Sequence, residues 1–415
     1  MRIAVVGGGS TYTPELADGI ARLPATAGVE ELCLIDPAAD RLGVIGPFAA
    51  RLFARHGHAG RVTWTSDLDR GLDGADVVLI QLRVGGQAAR ISDETFPLAC
   101  GCVGQETTGA GGLAKALRTV PVVLDVAGQT PERAWIVDFT NPVGIVTRAL
   151  LDAGHRAVGL CNVAIGFQRR FAGLLGVDPD AIRLDHVGLN HLTWERAVYV
   201  GEVDRLPQLL ADHGAEIANE VGLPVGVLRT LGCVPSYYLR YFYGHDEVVA
   251  QERGQATRGQ RVSDIEARLL TLYADPALDE KPDLLMQRGG AYYSEAAVGL
   301  IGSLRGFPSA THVANVRNDG TLPFLDGDSV IEVPCSVDVG GPRPEPVGAV
   351  GPDLAGLIAH VDAYERLAVD AALRGGRERV YRALLAHPLV GQHSLAECLT
   401  DRLLAANASF LGWAP

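Results

Sequence analysis

No uninterrupted apolar run in the sequence reaches the roughly 18 residues of a membrane span, so no transmembrane helix is expected. No basic stretch leads into an apolar core near Met1. Met1-Arg2 runs directly into a strand candidate, and no secretory leader is expected there. Positive charge is in short supply. The 36 Lys and Arg face 49 Asp and Glu, a net charge of -13, so neither nucleic acid nor an anionic membrane surface is expected as a partner. The 7 cysteines are odd in number and scattered without a disulfide-scaffold rhythm, which predicts reduced thiols and a cytoplasmic setting. HExxH, a CxxC pair and a Gly-x-Ser-x-Gly elbow are all missing, which removes support for zinc proteases, zinc fingers and serine hydrolases. Internal repeats and low-complexity segments are also missing; "GGPRPEPVG" (340–348) is short enough to be a loop.

What is present is the composition of an ordinary globular enzyme, with 47% hydrophobic and 20% charged residues. At 415 residues the chain is expected to form two closely packed domains. The first part alternates apolar runs with amphipathic stretches. Strand candidates are 2–6, 31–35, 61–65, 76–81, 134–139 and 157–161, with a helix over 14–23 that Thr13 would cap and Pro14 would open. Continuous apolar strands alternating with helices predict a parallel sheet covered on both faces, a doubly wound Rossmann-type α/β domain over 1–165. After Cys161 the rhythm changes. A helix is expected over 167–175, a strand over 196–200, a helical or mixed aromatic segment over 228–243, a strand within 328–339, and helices over 354–373 and 377–385. This reads as an α+β domain over 166–415.

In "IAVVGGGSTYTP" three glycines, Gly7, Gly8 and Gly9, separate the first strand from the first helix, with Ser10 and Thr11 behind them. Glycine there permits a tight turn and close approach of a pyrophosphate to the helix N-terminus. Tyr12 stands where a strict GxGxxG has its third glycine. Asp36 ends the second strand in "LCLIDP", where a carboxylate accepts from ribose hydroxyls and disfavours a 2′-phosphate, so NAD is expected over NADP.

Three further segments, 138–147, 158–166 and 187–194, each place a polar residue at or beyond the carboxyl end of an apolar strand, the edge where open α/β sheets bind ligands. They bring in Asn141, Cys161, Asn162 and His191. A thiolate and an imidazole could hold one divalent metal and leave the other positions to substrate or water. Taken singly, Cys161 reads equally as a buried apolar thiol and His191 as a satisfied residue in a turn. The tyrosine-rich "PSYYLRYFY" (235–243) reads by itself as core or interface.

The segments "GGGSTYTP", "QLRVGG", "GQETTGAGG", "TNPVGIVT", "GLCNVAIG", "GLNHL", "PSYYLRYFY" and "RGGAYYS" occur in this order. Together they resemble glycoside hydrolase family 4, nearest its 6-phospho-β-glucosidase group, over residues 1 to about 340. This NAD-dependent family is a known exception to two-carboxylate glycoside hydrolysis. The resemblance implies a lactate/malate dehydrogenase-like fold, NAD, and a divalent metal, usually manganese, on Cys161 and His191. It implies oxidation of the sugar at carbon 3, loss of the proton at carbon 2, departure of the aglycone from carbon 1, then addition of water and reversal. The base of the β-specific members matches Tyr238, with Tyr237 one residue away. Where α-specific members carry Asp after the motif cysteine, this chain has Asn162, which cannot serve as an acid and so favours a β-linkage. Positions matching Arg83, Asn141, Asn162 and Arg258 contact substrate, and the arginines suit a sugar phosphate.

The competing reading is an NAD-dependent 2-hydroxy acid dehydrogenase of lactate/malate type. It would need a His base paired with an Asp, for which Asp185-His186 is the nearest imitation, although adjacent strand residues face opposite ways. A dinucleotide-sensing regulator is a third reading; it predicts NAD binding without metal-dependent turnover. Beside the chemistry, "YYLRYFY" and the C-terminal helices suggest a homodimer or homotetramer.

Overall fold

The computed structural model describes residues 1–23, 26, 28–289 and 292–414. Gly290 and Ala291 of "RGGAYYS" lie outside the described residues. Six parallel strands appear where the apolar runs predict them: β1 (Arg2–Val6), β2 (Glu31–Ile35), β3 (Arg61–Thr65), β4 (Val77–Ile80), β5 (Trp135–Asp138) and β6 (Ala157–Gly159). Their order is β3-β2-β1-β4-β5-β6, with Val5 level with both Leu34 and Leu79. Helices cover both faces, so Ile3, Val5, Leu32, Leu34, Val78 and Val137 are all buried. Full burial of one such side chain is worth roughly 1.5–3 kcal/mol, which explains why these strands lack the polar alternation of a one-sided sheet.

A second, antiparallel sheet comprises β7 (Ile182–Leu189), β8 (Leu192–Val200), β9 (Val203–Asp204) and β10 (Val234–Pro235), in the order β10-β8-β7 with β9 paired to β8. Beyond it, β11 (Ala310–Arg317), β12 (Val330–Asp338) and β13 (Gly341–Pro344) return to the first sheet. They extend it antiparallel past β6, making nine strands that draw on both sides of residue 165. β7 also packs on β12, bringing the two sheets together behind the end of β6.

Several local expectations change. The first helix is Thr13–Arg22, and Thr13 lies inside it instead of capping it: its Oγ1 accepts from Gln81 Nε2 at 2.8 Å. The segment expected over 228–243 breaks into a helix Val225–Leu231, β10, a 3₁₀ turn Tyr237–Leu239 and a short helix Arg240–Tyr243. Gly232 and Pro235 interrupt the helical periodicity there. The reduced-thiol expectation is also corrected. Cys100 and Cys398 form a disulfide across 298 residues of sequence, a pairing no local spacing could reveal, while the other five cysteines are free and buried. None of the described helices is long and apolar enough to cross a membrane.

Candidate active site

The turn after β1 is built so that only glycine fits. Gly7 has φ 88°, and a Cβ there would lie 2.6 Å from the carbonyl oxygen of Gln81. A Cβ on Gly9 would lie 2.8 Å from the carboxylate of Asp36, and the Gly9 amide donates to that carboxylate at 3.0 Å. Ala38 N donates to the second oxygen of Asp36 at 2.9 Å. The end of β2 therefore presents one oriented carboxylate against the glycine turn and the start of the first helix, as a dinucleotide requires. Ser10 and Thr11 follow; both meet Arg288, through Ser10 Oγ at 3.3 Å and Thr11 Oγ1 at 2.7 Å. Glu266 completes this group, accepting from Thr11 Oγ1 at 3.1 Å and from Arg288 Nη2 at 3.0 Å.

The neighbouring cations are held by carboxylates or carbonyls. Arg83, in the loop after β4, pairs with Glu106. Lys115 at 2.8 Å and Arg90 at 3.0 Å pair with the same carboxylate. Burial would raise the Glu106 pKa, but Arg83, Lys115 and Arg90 together hold it well below the usual carboxylate range. Burial pushes Lys115 down to about 8 against the pull of Glu106. Arg258 opens the helix Arg258–Tyr273 and is exposed, with Nη2 donating to the carbonyls of Gln287 and Arg288 at 2.9 Å each. It braces the stretch of chain that carries Arg288. Neither Arg288 nor Glu106 was singled out from sequence, although both lie in motifs quoted for the resemblance.

The chemical end lies at the carboxyl edge of β5 and β6. Asn141 follows β5 through a cis bond to Pro142, and its Oδ1 is buried without a hydrogen-bond partner. Cys161 lies two residues past β6, 6% exposed, where the helix Val163–Leu175 begins, and Asn162 is that helix's N-cap. Burial pushes the Cys161 thiol up, then Glu332 adds to the rise, while the amides of Val163 and Asn162 and the side chain of Asn190 favour the thiolate. His191 occupies the tight turn between β7 and β8 with φ 64°, a left-handed conformation uncommon outside glycine. Its Nδ1 is buried without a partner, and burial lowers its pKa to about 4, so the imidazole is neutral and has a lone pair to give.

Tyr238 stacks on that imidazole, ring centroids 3.7 Å apart and planes within 9°. Its phenol is raised well above the usual range by burial, then by Cys161. Tyr237 instead is 40% exposed, its ring under the Arg240 guanidinium. The fold thus brings Cys161, His191 and Tyr238 together and leaves Tyr237 outside. The donor set suits a divalent ion: a thiol at a helix N-terminus and an unpartnered neutral imidazole. No group of three or more His, Cys, Asp or Glu that could hold a metal occurs among the described residues, so further ligands would come from substrate and water. His186 is no dehydrogenase base. It is fully buried between Glu195, 2.6 Å from Nδ1, and Glu332, 3.2 Å from Nε2.

Known proteins resemble this chain in sequence and fold. Residues 2–177 match the Family 4 glycosyl hydrolase model, and residues 186–390 match the Family 4 glycosyl hydrolase C-terminal domain. The 6-phospho-beta-glucosidase of Escherichia coli (strain K12) is 34% identical over 99% of this chain and 96% of its own length. The 6-phospho-beta-glucosidase of Thermotoga maritima, solved with manganese, NAD+ and glucose-6-phosphate, superposes with a TM-score of 0.91 at 31% identity, covering 99% of each chain. Malate dehydrogenase from Salinibacter ruber, at 17% identity and a TM-score of 0.53 over 90% of this chain and 98% of that one, shares the fold. With both halves matched and full-length relatives above 30% identity, the chain belongs to family 4 of the glycosyl hydrolases.

Proposed function

We propose that this chain hydrolyses 6-phosphorylated β-glucosides by transient oxidation at carbon 3 of the sugar, with NAD and a divalent metal such as manganese. The observation that carries the reading is the stack of Tyr238 on His191 beside Cys161, at the sheet edge that also bears the glycine turn. When bound, NAD would supply a hydride acceptor and the metal a Lewis acid. Gly7, Gly9, Ser10, Thr11, Asp36 and Asn141 form the dinucleotide side, and Cys161 and His191 hold the metal.

Tyr238 takes the proton from carbon 2 once its phenol is ionised. Burial opposes that ionisation, so a neighbouring positive charge is required. Asn162 orients substrate and donates no acid proton, which leaves protonation of the aglycone to water. Arg83, Arg258 and Arg288 supply the positive field for the 6-phosphate, with Arg288 nearest the turn. A sugar phosphate and NAD do not diffuse through bilayers, so the setting is the cytoplasm. A homodimer or homotetramer belongs to the same proposal, supported by the exposed rings of Tyr237 and Tyr243.

The test is a panel of nitrophenyl β- and α-glucosides, with and without a 6-phosphate, assayed with NAD and manganese added or withheld. Hydrolysis of the phosphorylated β-glucoside that needs both additions, with no accumulation of NADH, is expected. Full activity in protein stripped of both would sink the reading, and net NADH from a 2-hydroxy acid would replace it with the dehydrogenase.

A further inference from the structure

Behind Cys161 and His191 lies a dry polar cluster that the chemistry above does not use. His186 on β7 contacts Glu195 on β8 at 2.6 Å and Glu332 on β12 at 3.2 Å, and all three side chains are at most 1% exposed. The second oxygen of Glu332 accepts from Asn190 Nδ2 at 2.9 Å and from Asn315 Nδ2 at 2.8 Å. Asn190 immediately precedes His191 in the turn, and its side-chain amide favours the thiolate of Cys161. Asn315, on β11, is level with Gly159, the last residue of β6, and its amide also reaches the Gly159 carbonyl at 3.5 Å. One carboxylate therefore ties together the two arms that carry the metal-binding pair.

We propose that His186 is a positioning residue for the metal site: its charge fixes Glu332, and Glu332 fixes Asn190 between Cys161 and the His191 turn. The inference rests on the reading of Cys161 and His191 as the metal's ligands. Two carboxylates cannot both stay ionised in a dry core without a cation between them. With His186 protonated, the cluster carries one net negative charge behind a site for a divalent cation. Glu195 and Glu332 raise the His186 pKa to about 10 despite burial, which keeps that charge in place near neutrality. Holding the groups behind a metal's ligands is commonly worth about 10–100-fold in metal affinity.

The test measures manganese binding to the full-length protein without substrate, by the electron paramagnetic resonance of free Mn2+, with NAD+ affinity followed separately. His186→Gln keeps the approximate size and removes the charge; Asn190→Ala cuts the link from Glu332 to the site. Each is expected to weaken manganese binding by about tenfold or more while leaving NAD+ affinity unchanged. The double variant should lose no more than Asn190→Ala alone, because both act through one link. Manganese affinity within about twofold of the parent in folded His186→Gln overturns the proposal, as do losses that multiply in the double variant. Should His186→Gln fail to fold, unchanged affinity in Asn190→Ala overturns it equally. Cys161→Ser is measured alongside: if it leaves affinity intact, the metal reading fails and takes this one with it. If only Cys161→Ser weakens binding, the positioning role alone is wrong.

Discussion

Tyr238 illustrates how much a single contact decides. Two adjacent tyrosines are equivalent candidates in sequence, and only the ring of Tyr238 stacks on His191, 3.7 Å away, beside the proposed metal ligands. Tyr238→Phe keeps the packing and deletes the phenol. It is expected to lose aglycone release by about 10²-fold or more, the scale of a missing general base, while still exchanging hydrogen at carbon 3 with NAD. Mixing the variant with substrate and following bound NADH absorbance against nitrophenol release checks both halves; unchanged turnover would move the base elsewhere. The arginines differ in the same way. Arg288 meets Ser10 and Thr11, whereas Arg258 holds the carbonyls of Gln287 and Arg288. If Arg288 reads the sugar phosphate, Arg288→Ala is expected to raise KM for a phosphorylated glucoside by roughly 1.5–3 kcal/mol of lost charge-assisted contact, and Arg258→Ala by less, with NAD+ affinity measured alongside to separate a loss at the dinucleotide turn. Equal KM changes on an unphosphorylated glucoside would show that neither reads phosphate.

Among the elements, the unit formed by β1, the glycine turn and the helix Thr13–Arg22 is the most constrained. Gly9→Ala places a methyl 2.8 Å from the Asp36 carboxylate, which must move away from the Gly9 amide. NAD+ affinity is expected to fall about tenfold or more while manganese affinity stays constant, a split that titration calorimetry with each ligand reads directly. A parallel loss of both would mean that the whole fold had been damaged. This unit was legible in sequence because its signals are local: apolar strand, glycines, helix, then an acid ending the next strand. Cys161, Asn141 and His191 were legible as polar residues at strand ends. That they meet was not, since His191 arrives on a hairpin of the second sheet and Tyr238 on a 3₁₀ turn after β10. The return of β11, β12 and β13 to the first sheet was hidden for the same reason: strand order is a long-range property. So was the disulfide.

For the molecule as a whole, buried titratable groups shape stability against pH. Burial lowers His312 and His387 to about 4 and about 3, so the unfolded chain takes up protons below about 6.5 that the fold refuses. Their contribution is complete above that pH and is lost as pH falls. Glu365 has the opposite sign. It lines a cavity of about 30 Å³ with Asn190 and His191, its Oε2 has no hydrogen-bond partner, and burial, followed by Asp362 and Glu332 against Arg148, raises its pKa to about 8. The folded carboxyl is thus neutral where the unfolded one is already ionised. Its stabilising contribution is full below 4.5 and declines as pH rises to about 8, with a slope of about 1.4 kcal/mol per pH unit. Glu365→Gln replaces a neutral acid by a neutral amide of the same shape, which has no ionisation to lose. In urea denaturation of metal-free, NAD-free protein, the variant should match the parent near pH 4.5 and gain steadily on it to about pH 8, then hold its lead. His186, raised from 6.5 to about 10, adds its own decline between those values in both proteins and so cancels from the difference. Parallel stability profiles from about pH 5 to about pH 8 would mean that Glu365 is ionised in the fold, and that the cavity beside His191 holds a charge instead of a proton.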